Sequence, residues 1–129
     1  VPTVEVAGAN VWWQATGDGP PLVLVQGLGY QSDAWWRLLP ALSARFRVIV
    51  LDNRGVGRTG VPTGPSTGPL RIETMADDVA AVMSAAGEES AHVFGASLGG
   101  VVAQEFALRH PARVRCLILG CTGPAGPEA

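Results

Sequence analysis

The chain contains no lysine: all nine of its basic residues are arginine. That absence excludes a Walker A phosphate loop and a lysine Schiff base together, because both depend on the ε-amino group. Cysteine is nearly as scarce. Cys116 and Cys121 stand in CxxxxC spacing within an apolar run, which matches neither a zinc ribbon nor a disulfide framework, and they read as buried free thiols. No apolar run approaches the roughly 18 residues of a membrane-spanning helix. Eleven acidic and nine basic residues are scattered with no run of either sign, so neither nucleic acid nor a membrane is expected as a partner. The first residues show no secretory leader pattern, which makes the cytoplasm the expected location, although the chain begins at Val1 rather than Met.

What the chain does have is glycine, proline and short apolar runs. A length of 129 residues suits one domain with a sizeable core. Val4 to Gly8 and Val11 to Thr16 alternate around Ala9-Asn10, which predicts a β-hairpin. The runs 22–26 (LVLVQ), 46–52 (FRVIVLD), 92–96 and 114–119 (VRCLIL) have strand length and mostly lack polar alternation, as strands covered on both faces do. Helical spacing falls between them: over 33–44 with Pro40 inside, from about Thr74 as cap to Gly87, and over 98–109 closed by Pro111. Alternating strands and helices predict an α/β fold, a three-layer α/β/α sandwich whose sheet is mostly parallel after the hairpin. The stretch 60–69 (GVPTGPSTGP) reads as a surface loop.

Two glycine motifs compete for a functional reading. Gly55 to Gly60 (GVGRTG) is a literal GxGxxG after a strand, but a dinucleotide site needs a helix to start inside the motif, and VPTGPSTGP cannot start one. No cofactor is implied. The second motif is GASLG, residues 95–99. In a chain with 17 glycines a GxSxG arises by chance about 0.1 times, so its surroundings decide its meaning. A nucleophile elbow requires a strand, a sharp turn bearing the serine, and a helix whose N-terminus faces the reacting oxygen. AHVFG, GASLG and GVVAQEFALRH supply the three in order. Gly95 and Gly99 would permit close backbone approach, exposing Ser97 with the Leu98 N–H beside it. A second turn, Gln26-Gly27-Leu28-Gly29, follows the strand LVLVQ, and its Leu28 N–H is a candidate second donor to an oxyanion. The competing reading is that Ser97 only caps a helix.

Three blocks, LVLVQGLGYQSDAWW, FRVIVLDNRGVGRTG and HVFGASLGGVVAQEFALRHPARV, together resemble the N-terminal half of an α/β-hydrolase over nearly the whole chain. The resemblance implies the first six strands of that fold, with the C-terminal strands absent. It implies Ser97 as nucleophile, and Leu28 and Leu98 as oxyanion-hole amides framed by Gly27, Gly29, Gly95 and Gly99. Trp35 would pack at the start of the first helix, and GVGRTG becomes the family's DxRGxGxS loop, with Thr59 in the serine's place and Asp52 organising the loop. One departure stands out: Gln26 occupies a position where the family usually has histidine.

A serine nucleophile needs a general base, itself oriented by an acid. The only histidines, His92 and His110, sit at the far end of a strand and at the end of the helix that leads away from the turn. The family's order is serine, acid, histidine, so both partners are expected beyond Ala129, with residues 123–129 leading into a lid. The expected function is a serine hydrolase that cleaves a small carboxylic ester or lactone through an acyl-enzyme, without metal or cofactor. The C-terminal half of the same fold, in the same or a separate chain, is its expected partner. The alternative is a binding protein or subunit that keeps the fold without turnover.

Overall fold

A computed structural model describes residues 2–61 and 69–124; most of the proline- and glycine-rich loop, 62–68, and the last five residues lie outside the described part. Six strands form one sheet: β1 (Thr3–Val6), β2 (Ala9–Thr16), β3 (Pro21–Val25), β4 (Arg47–Leu51), β5 (Ala91–Ala96) and β6 (Val114–Gly120), in the order β1-β2-β4-β3-β5-β6. The first two strands run antiparallel to their neighbours, whereas β4, β3, β5 and β6 are mutually parallel. Two parallel pairings, β3–β4 and β3–β5, place β3 between β4 and β5. All five of its residues are buried, which accounts for its unbroken apolar run.

Each face of the sheet carries its own core. On one face α2 (Ile72–Ala85) and α3 (Leu98–Arg109) lay Met75, Val79, Val82, Met83, Val102 and Phe106 over Val23, Ile49 and Val93. On the other face Trp12, Leu22, Leu24, Trp35, Val48 and Val50 cluster beneath only a 3-10 turn (Ser32–Trp35) and the five-residue α1 (Leu39–Ser43). A cavity of about 310 Å³ opens there, lined by Leu22, Leu24, Leu38, Leu42, Phe46, His92, Phe94 and Ile118. No described helix is long and apolar enough to cross a membrane.

Four expectations need correction. The hairpin turns at Ala7-Gly8, not Ala9-Asn10: both central residues have positive φ, 43° and 81°, and Gly8 takes the left-handed conformation at little cost. The helix expected over 33–44 is split, because Pro40 lacks an N–H and its ring clashes with the carbonyl four residues back; it is tolerated only in the first turn of α1. Thr74 does not cap α2, which starts at Ile72 after an extended Arg71 and has no side-chain cap. Its other end matches expectation: Gly87 at φ 80° donates to the Ser84 carbonyl and Glu88 to that of Met83, a Schellman motif. Finally, Cys116 and Cys121 are exposed rather than buried, because β6 is an edge strand and Cys121 lies past its end.

Candidate active site

The parallel strands β4, β3 and β5 all deliver their C-terminal loops to one edge of the sheet. The loop after β3 therefore lies between the loop after β4 and the turn after β5. That turn is sharp. Ser97 has φ 55° and ψ −122°, a conformation that costs a non-glycine residue roughly 1–3 kcal/mol. The surrounding backbone holds it there: the Ser97 N–H donates to the Gly120 carbonyl at 2.9 Å, and the Ser97 carbonyl accepts from the Gly100 N–H at 2.9 Å and the Thr122 hydroxyl at 2.7 Å. A side chain on Gly95 would collide with the Gly99 carbonyl, and one on Gly99 with the Val25 carbonyl, so both glycines are sterically required.

Ser97 stands at the N-cap of α3, yet its side chain makes no capping hydrogen bond and the residue is exposed. The capping reading therefore fails on geometry. The Gly27-Leu28 segment lies alongside. A Cβ built on Gly27 would sit 3.3 Å from the Ser97 Cβ and 3.7 Å from Oγ. Among the described residues, neither the Leu28 nor the Leu98 N–H donates to a protein acceptor. Gly29 has φ 76° and nothing near its Cβ position, so its part is conformational. The Gln26 side-chain carbonyl, in place of histidine, accepts the Gly27 N–H at 2.8 Å.

The two histidines lie elsewhere. His92 lines the apolar cavity and stacks edge-on against Phe46, at about five strand residues, or roughly 16 Å, from the serine. His110 packs on Phe106 with its Nε2 3.9 Å from Asp77. Trp35 is buried edge-on against Phe94, a packing role.

The loop after β4 is the most polar buried region. Asp52 is fully buried and accepts the backbone N–H of Ser32 at 2.7 Å and of Arg58 at 3.0 Å. The Thr59 hydroxyl accepts the Trp12 N–H and donates to the Asp52 carbonyl, pinning the loop to β2. Arg54 makes two bonds to Asp78 on α2, at 2.7 and 2.8 Å, and a third to the Val6 carbonyl. Its hydrogen bond to Asp78 holds the guanidinium above its ordinary pKa. Burial pushes the Asp78 carboxyl up and Arg54 draws it back, and the two short bonds from one guanidinium to both carboxylate oxygens have the geometry of an ion pair. Arg54 lies in the DxRGxGxS block, but its partner Asp78 is 24 residues away and in no motif, so sequence reading missed the pair.

A mostly parallel sheet with an exposed, strained serine between a strand and a helix at its C-terminal edge defines a hydrolase-type α/β architecture. The chain belongs to the alpha/beta hydrolase fold family, whose profile matches residues 20–128. It is 39% identical over 119 residues to RutD of Azorhizobium caulinodans, provisionally named a carbamate hydrolase, covering 92% of this chain and 43% of that protein. It is 37% identical to the pimeloyl-(acyl-carrier protein) methyl ester esterase of Aeromonas hydrophila, covering 84% and 40%. Among solved structures, Est816, described as an N-acyl homoserine lactone degrading enzyme, superposes with a TM-score of 0.86 at 32% identity, over 98% of this chain and 49% of that one. The chain thus spans about two fifths of the length of these curated relatives.

Proposed function

We propose that the chain carries the nucleophile and oxyanion hole of a serine hydrolase acting on a small carboxylic ester or lactone. The observation that carries this reading is Ser97 itself, an exposed hydroxyl without a capping bond on a strained backbone, facing the Gly27-Leu28 peptide. The Ser97 Oγ attacks the carbonyl carbon while a histidine takes its proton. The negative oxygen that forms is held by the Leu28 and Leu98 N–H groups. Collapse breaks the C–O bond, and that histidine protonates the alkoxide, which departs as an alcohol from an ester or stays tethered as a hydroxyl from a lactone; water then cleaves the acyl-serine by the same route. The relatives support the bond class, since their names include a methyl ester esterase and a lactone degrading enzyme.

The histidine and its acid come, in this reading, from polypeptide beyond residue 129 that completes the domain. The surface suited to receive it is the free edge of β6 together with the apolar cavity beside α1, where Ile118 and Leu119 are exposed. A fluorophosphonate probe tests the function. In the full-length polypeptide, covalent labelling is expected at Ser97 and lost in Ser97→Ala. A full-length protein that binds ester analogues but is never labelled would instead be a binding protein on this fold.

A further inference from the structure

The loop after β4 is joined to the loop that carries the Leu28 amide at both ends of that loop. At its start, the Asn53 Nδ2 donates to the Gln26 carbonyl at 3.0 Å. At its far end, the Asp52 carboxylate accepts the Ser32 N–H at 2.7 Å. The two gripping residues are consecutive and buried, Asp52 at 0% and Asn53 at 4% exposure. Between these ends the loop has little of its own to hold it: Leu28 is 71% and Tyr30 63% exposed, and the Tyr30 N–H donates to the Gly27 carbonyl at 3.3 Å. The carboxylate is fixed in turn. Its second oxygen takes the Arg58 N–H, and a side chain at Gly57 would strike both that oxygen and the Gln31 side chain.

We propose that Asp52 and Asn53 are positioning residues that set the direction of the Leu28 N–H toward the Ser97 hydroxyl by clamping residues 26 and 32. Sheet order makes this possible, because β3 lies between β4, which bears the clamp, and β5, which bears the serine. One side of the central loop is held so that the other side faces the reaction. The proposal rests on the catalytic reading above, and it assigns to the loop after β4 a part in transition-state binding as well as in folding.

Kinetics of the full-length polypeptide with p-nitrophenyl acetate, and its affinity for an alkyl trifluoromethyl ketone, test the clamp. The ketone forms a tetrahedral adduct that places an oxyanion in the hole. Asn53→Ala is expected to lower kcat by about ten- to a hundred-fold, as for a displaced donor and short of the roughly hundred- to thousand-fold cost of a lost one, with KM within about twofold. Ketone affinity should fall by the same factor. Asp52→Asn, which cannot accept both backbone N–H groups in the same way, should act in the same direction; if it does not fold, Asn53→Ala decides alone. A parent protein that the fluorophosphonate leaves unlabelled at Ser97 overturns the catalytic reading and the clamp with it. A labelled parent whose Asn53→Ala variant loses thermal stability but keeps kcat and ketone affinity overturns the clamp only.

Discussion

At the scale of single residues, Ser97 stores backbone strain that a different residue would relieve. Glycine tolerates φ 55°, whereas alanine does not, so the two substitutions that remove the hydroxyl should differ in stability. Ser97→Gly is expected to be more stable than Ser97→Ala by about 1 kcal/mol in urea denaturation, with both unlabelled by fluorophosphonate. Equal stabilities would mean the turn is not strained. The serine was legible in the sequence because glycines at fixed offsets flank it, and close approach of Gly99 to Val25 and of Gly95 to Gly99 explains that offset. The role of Thr122 was not legible. Its hydroxyl reaches the Ser97 carbonyl from 25 residues away, brought there by the pairing of β6 with β5.

At the scale of elements, the loop after β4 anchors two others through Arg54. Arg54 joins it to α2 through Asp78 and to the β1–β2 turn through the Val6 carbonyl, with both charged groups almost wholly buried. Removing one member of such a pair leaves the other charge buried without a partner. Asp78→Ala should therefore destabilise the fold by about 3–5 kcal/mol, measurable by chemical denaturation. The double replacement Arg54→Met with Asp78→Leu should recover most of that loss, since it leaves no unpaired charge. A loss below 1 kcal/mol for Asp78→Ala would show the pair to be dispensable. The sequence revealed the elements where periodicity was strong, as in α2, and misplaced their ends where one local rule overrode another, as at Pro40 and Ala7-Gly8.

At the scale of the whole molecule, the two faces of the sheet are unequally covered. Two long helices bury one, while a short turn and a five-residue helix leave the other open beside β6. Cys116 is paired in register with His92, one of the cavity-lining residues, and is exposed. In the 129-residue chain its thiol should react with a maleimide within minutes under native conditions, and in the full-length polypeptide it should be protected at least tenfold by the segment that covers this face (about 1.4 kcal/mol of protection). Equal reactivity in both would place the remaining polypeptide elsewhere.

The sequence by itself determined the α/β alternation, the burial of the central strand and the position of the serine turn, because apolar periodicity and glycine spacing are local properties that chain neighbours impose. Only the tertiary structure decided which groups surround that turn. The approach of Gly27 to Ser97, the grip of Asp52 and Asn53 on the ends of the neighbouring loop, the Arg54–Asp78 pair and the exposure of both cysteines arise from strand order. Strand order brings together residues 20 to 70 positions apart, and that separation leaves no repeating pattern along the chain.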